Sequence, residues 1–206
     1  MTARSKAPRA GRAALGVRAH SGWAAVIVLA GTAEEQEIID RRRIELRKPG
    51  DENARFPFHH VETWKRDRAK AFIRSCSESS NGYALTALSD IVADLKKRSL
   101  VLSGCDLLSA SGRTLPDLAN ILASHSLIHT AEGEFFRDAI ANACAKKKIA
   151  VSRVKEREAL TWAAARLGLT DARLKLKMDA LGKPLGPPWT ADQKLATAAA
   201  LLVLAG

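Results

Sequence analysis

The feature that most constrains this chain is the alternation of short apolar runs with longer stretches of helical periodicity. Trp23 to Gly31 is a nine-residue run of mainly Val, Ile, Leu and Ala, a length that suits one strand buried on both faces and falls well short of the roughly 20 residues of a bilayer span. Two apolar or alternating stretches, Ala14 to Leu29 and Gln36 to Leu46, flank Ala30-Gly31-Thr32-Ala33, which predicts a strand, a turn and an antiparallel partner. Residues 47–60 are polar and hold Pro49, Gly50 and Pro57, a loop in which Phe56 and Phe58 either dock onto the core or form a short third strand.

Beyond residue 60 the period changes. Helices are predicted over Val61 to Ser75 and Tyr83 to Arg98, the second with Leu85, Leu88, Ile91, Val92 and Leu95 on one face. Ser99 to Leu108 reads as a buried strand, with Val101 in the core. Leu115 to Ala145 is a long helical pattern in which Gly133 is a candidate break, and Ile149 to Val154 is another short strand. Helices at 156–167 and 171–180 lead to the stiff Gly182 to Pro188 stretch. Thr190 then caps a last helix with Asp192 in its first turn, where a carboxylate faces the positive end of the helix. Paired strands followed by strand–helix–strand units predict an α/β fold: one mixed sheet with helices on both faces.

The 206 residues are enough for one domain with a real core, and 47% apolar with 27% charged residues excludes a collagen or a wholly disordered chain. Cys76, Cys105 and Cys144 are far apart and form no CxxC, so neither a zinc ribbon nor a disulfide framework is expected. Residues 1–13 lack apolar periodicity and are expected to be a mobile basic arm, leaving 14–206 as a single domain. No membrane anchor is expected, and reduced thiols point to a cytoplasmic protein. The formal net charge is +11, and Arg4, Lys6, Arg9, Arg12 and Arg18 all precede the first carboxylate, Glu34. Such a balance suits a nucleic-acid partner, because Lys and Arg displace counterions from phosphates.

The element order, with Leu15-Gly16-Val17-Arg18-Ala19-His20-Ser21-Gly22 entering an apolar strand, resembles the ribonuclease H-like superfamily in its RuvC-type resolvase arrangement over about residues 14–204. In that family a first strand carries an Asp, a central strand a Glu, and a C-terminal helix opens with Asp before an Ala-rich run. Here Trp189-Thr190-Ala191-Asp192-Gln193-Lys194-Leu195-Ala196 matches the helix opening, whereas Arg18 stands at the first-strand position and the central strand reads Val101-Leu102-Ser103-Gly104-Cys105-Asp106. The resemblance implies a ribonuclease H-like mixed sheet. It does not carry over the metal-dependent nuclease chemistry, because a guanidinium repels the divalent ions that converging carboxylates would hold.

The residues themselves offer two further constellations. His125, His129 and Glu132 fall within an arc of about 60° on a helix, so two imidazoles and a carboxylate can face one point. A metal there needs another ligand, from His20, His59, His60 or Asp192. Asp192, Glu132, His129 and His20 are the candidate catalytic groups, and His125, His129 and Glu132 the candidate metal ligands. Arg18, Arg41, Arg43 and Lys194 are candidate phosphate contacts, with Arg41 and Arg43 on one face of a strand. No definite cofactor is implied, and a divalent metal is left open. The function expected is a nucleic-acid-binding domain with a degenerate or non-standard nuclease site. A catalytically silent scaffold, or a metal-dependent hydrolase using the His/His/Glu face, are the alternatives.

Overall fold

A computed structural model describes residues 11–32, 34–110, 112 and 114–206. The arm expected at the N-terminus lies outside the described residues as far as residue 10, while Gly11 to Ala13 already belong to the first strand. The run from Ala14 to Leu29 is two strands, β1 (Gly11–His20) and β2 (Trp23–Gly31), paired antiparallel with His20 opposite Trp23. The break between them falls at Ser21-Gly22, where Gly22 has φ of +87°, a conformation that a tight hairpin turn demands and glycine adopts without strain. β3 (Gln36–Glu45) pairs antiparallel with β2.

The Phe56–Phe58 segment is not a strand. Pro57 opens a short helix α1 (Pro57–His60), since its fixed φ and missing N–H suit a first helical turn, and Phe58 packs edge-on against Phe135. The two helical stretches that follow fuse into one 32-residue helix, α2 (Arg66–Lys97). β4 (Leu100–Ser109) then runs parallel to β1. Val101 is 59% exposed rather than in the core, because only the second half of β4, from Gly104 on, is covered on both faces. After α3 (Leu118–Leu122), α4 (His125–Lys146) runs straight through Gly133. A Cβ there would lie 2.9 Å from Arg137 Nη1, so this glycine makes room for a guanidinium one turn on instead of breaking the helix. β5 (Val151–Lys155), parallel to β4, leads directly into α5 (Glu156–Arg166), α6 (Asp171–Gly182) and α7 (Ala191–Leu204).

The sheet order is β3-β2-β1-β4-β5, a mixed sheet with a core on each face. On one side Leu15, Val17, Val26 and Leu107 pack under α2 and α4. On the other Ala14, Ile27, Leu29 and Leu108 pack under α5, α6 and α7. Helix α7 sits unusually close to β1: a Cβ on Gly16 would fall 1.8 Å from the Ala196 carbonyl oxygen and 2.6 Å from Ala200 N. The glycine in the strand and the Ala196–Ala200 run in the helix thus answer one another, and they fix where the α7 N-terminus meets the sheet. All three cysteines are buried and free.

Candidate functional site

Alternation along β1 puts Gly16, Arg18 and His20 on the α7 face, and the last two stand at the strand's C-terminal end. Two helices begin there. Thr190 and Gln193 form a reciprocal capping box that starts α7 and presents Asp192 in the first turn. Glu156 is the first residue of α5, directly after β5. Arg18 is held between these two carboxylates: its Nε and Nη2 donate to Glu156 Oε2 at 3.2 and 2.9 Å, and Nη1 donates to Asp192. Partial burial disfavours the guanidinium charge, but Glu156 and Asp192 outweigh it and raise its pKa.

Asp192 also takes His20, whose Nε2 lies 3.2 Å from the same carboxylate oxygen. Burial lowers the His20 pKa, with Arg18 adding to the effect against the pull of Asp192. The imidazole stacks on Trp23 at 4.2 Å and 9°, and Arg43, from the strand on the other side of β2, lies 4.0 Å from the Trp23 ring centre. The charge alternation continues through buried Arg137. Its Nε donates to the Leu108 carbonyl at 2.8 Å, Nη1 to Glu134 at 3.2 Å, and Nη2 lies 3.7 Å from Glu156. Arg153 joins Glu134 and Asp138 at 2.7 and 2.9 Å. Asp106, on β4, stands apart from these pairs: it is 4% exposed and its Oδ1 has no hydrogen-bond partner among the described residues. Burial raises its carboxyl pKa, opposed by Ser152 and the Val154 backbone.

The second constellation lies at the start of α4. His125 and His129 share one helix face as their spacing requires, with Nε2 atoms 3.1 Å apart, and His59 joins them from α1 with its ring centre 4.8 Å from that of His129. Glu132 faces inward behind His59, not toward the pair: its Oε1 accepts from Phe58 N, His59 N and His59 Nδ1 at 2.8, 3.1 and 3.3 Å. Burial raises the Glu132 carboxyl pKa and the His59 contacts oppose it. A cavity of about 540 Å³ beside the imidazoles is lined by His125, His129, Gly133, Glu134 and Arg137. His129 and Asp192 thus belong to two clusters; the Arg18–Glu156–Arg137–Glu134 ion pairs run from the crevice to the wall of the cavity beside His129.

The candidate phosphate contacts have protein partners. Arg41 donates to the carbonyls of Leu185, Gly186 and Pro188 at 2.7–3.1 Å and so clamps the Gly-Pro stretch against β3. Lys194 pairs with Asp179 at 2.9 Å, and Arg43 with Glu45 at 2.8 Å. Glu156, Glu134, Arg137 and Arg153 were not singled out from the sequence. The available signal was positional: Glu156 opens a predicted helix just after the predicted strand Ile149 to Val154, the place where α/β crevices form.

The fold is ribonuclease H-like α/β in the RuvC-type arrangement. Among solved structures, the chain is similar to Thermus thermophilus RuvC in complex with a Holliday junction substrate, at TM-score 0.55 and 9% identity over 93% of this chain and 91% of that one. It is similar also to a second Thermus thermophilus RuvC structure, at TM-score 0.54 and 9% identity over 92% of each chain. No family model matches the sequence, and no curated protein matches it. Among the described residues no helix is long and apolar enough to cross a membrane.

Proposed function

We propose that this chain is a nucleic-acid-binding domain whose strand-end crevice has been rebuilt around a guanidinium and does not cut phosphodiesters with divalent metal. The observation that carries the reading is Arg18, at the end of the first strand, ion-paired to both Glu156 and Asp192. A two-metal site needs several carboxylates converging on the ions. Here Arg18 sits between the two nearest carboxylates, and Asp106 is buried on β4 and makes no ion pair with Arg18 among the described residues. Among the described residues, the crevice offers no three carboxylate or imidazole ligand atoms within 4.8 Å of one another. The residues therefore do not fit the divalent metals that the fold family implies.

The partner follows from charge. The chain carries +11 overall, while the crevice is close to balanced, each arginine facing carboxylates. The exposed cations Arg12, Lys96, Lys146, Lys147 and Lys148 make no ion pair among the described residues and supply phosphate contacts without breaking an existing bond. The RuvC structure with a Holliday junction substrate supports testing branched DNA first. Anisotropy of a labelled duplex and a labelled four-way junction is expected to show binding that weakens linearly in log–log form as salt rises. Salt-insensitive or undetectable binding of both would refute the nucleic-acid reading. Mg²⁺-dependent nicking by the pure protein would refute the rebuilt-crevice reading.

A further inference from the structure

We propose that His59, His125 and His129 form a transition-metal site, with Glu132 as the positioning residue behind His59 and an open position facing the α4 cavity. One ring nitrogen from each histidine lies within 4.8 Å of the others, and among the described residues these three are the only such group. They come from two segments of chain, so the convergence is tertiary: α1 is docked on α4 through Phe58 against Phe135 and through the Glu132 carboxylate. The His125–His129 Nε2 separation of 3.1 Å is close to the spacing of two nitrogens each about 2.0–2.1 Å from a common Zn²⁺ in tetrahedral geometry. Without an ion that contact is a hydrogen bond only when one imidazole donates its Nε2–H to the unprotonated Nε2 of the other, and two imidazolium ions at that distance repel.

The second observation is Glu132. It is 4% exposed, and it spends one oxygen on the two backbone N–H groups of Phe58 and His59 and on His59 Nδ1. A carboxylate that accepts a hydrogen bond from Nδ1–H fixes the tautomer, leaves Nε2 with its lone pair free, and holds the ring from turning. This carboxylate–imidazole pairing is the usual support behind a metal-bound histidine. The sequence spacing places Glu132 on the histidine face, but the structure gives it this supporting place and gives the third ligand to His59. Three neutral nitrogen donors favour Zn²⁺ and its neighbours Co²⁺, Ni²⁺ and Cu²⁺, and disfavour the oxygen-seeking Mg²⁺ and Ca²⁺. Because the fourth position opens toward the cavity lined by Glu134 and Arg137, the site resembles in its chemistry an open centre that retains water rather than a closed structural one. It shares no ligand with the Arg18 crevice, so it stands whether or not the chain binds nucleic acid.

The test uses the full chain without a polyhistidine tag, stripped with chelator and then titrated with Zn²⁺ against a chromophoric competitor. One equivalent is expected to bind, to raise Tm by mass action, and to displace Co²⁺ loaded beforehand, bleaching the visible bands of a low-symmetry nitrogen-ligated ion. His125→Ala and His129→Ala, both at exposed positions, are expected to fold as wild type and to lose that equivalent. Glu132→Gln is expected to weaken Zn²⁺ by roughly 10- to 100-fold. Should Glu132→Gln fail to fold, His59→Ala provides the same reading on a half-buried side chain. His60→Ala, on the neighbouring ring that packs against Trp64 and Phe72, is expected to change nothing. Stoichiometric binding that survives His125→Ala and His129→Ala, or no binding to the wild type, overturns the site.

Discussion

Two side chains on the same face of the sheet show how neighbours decide what a charge does. Arg18 satisfies two carboxylates at once, with side chains only 22–27% exposed, between the worth of a surface pair and the cost of breaking a buried one. Arg18→Ala leaves Glu156 and Asp192 without their shared cation and is expected to lower stability by about 1–3 kcal/mol, read from chemical denaturation at neutral pH. A loss below ~0.5 kcal/mol would mean the network is solvated and does not brace the crevice. Asp106 is the opposite case, a buried carboxyl whose pKa is raised mainly by burial. A raised carboxyl pKa means that the folded chain holds the proton more tightly than the unfolded one. Its contribution is therefore full below the ordinary value of about 3.9 and is lost as pH rises through the folded pKa. Asp106→Asn is expected to stabilise the protein at pH 7 by on the order of 1 kcal/mol, with the gain fading toward pH 4. A variant less stable than wild type at pH 7 would show that the ionised carboxylate has a partner it needs.

At the level of elements, the periodic segments were legible in the sequence and the places where chain geometry intervenes were not. The 3.6 and 2.0 periods located β3, α5 and α6, whose spacing survives in the residue order, while β4 and β5 stood out as short strand-like runs and α7 through its Thr190 cap. Continuous apolar runs carry no such internal marker, so the hairpin inside 14–29 is betrayed only by Gly22. Val101 shows the converse: its apolar character says nothing about whether a helix covers that end of β4. Within the site, His125 and His129 were legible as a helical pair, but Glu132's role was not, since its partners on α1 lie more than seventy positions earlier in the chain. The β1–α7 contact makes a prediction at this scale. Gly16→Ala would drive a methyl into the Ala196 carbonyl, where backbone on both sides cannot yield, and overpacking of this kind costs about 1–3 kcal/mol or more. Because α7 carries Asp192, the variant should also disturb the Arg18–Asp192 pair. A Gly16→Ala protein with wild-type Tm would show that α7 is free to slide on the sheet.

For the whole molecule, the arrangement of charge separates two ends of one sheet. The ion-paired crevice lies at the C-terminal ends of β1 and β5, whereas Arg12 opens β1, Lys96 precedes β4 and Lys146 to Lys148 precede β5, so these five unpaired cations lie on the N-terminal side of the three parallel strands. A phosphate approaching the crevice must displace Glu156 or Asp192 from Arg18, or Asp179 from Lys194, while one approaching the other side displaces only water and counterions. Affinity for nucleic acid should therefore depend first on the lysine run. Each phosphate contact contributes about 0.9 to the slope of log affinity against log salt on duplex DNA. Replacing Lys146, Lys147 and Lys148 together by Ala is then expected to flatten that slope by as much as ~2.7 without lowering Tm, because all three are exposed and unpaired. Arg41→Ala, which releases the Gly-Pro stretch from its clamp, is expected to lower Tm and leave the slope unchanged. The reverse pattern, with the slope indifferent to the lysines and sensitive to Arg43 on Trp23, would place the nucleic acid across the crevice instead.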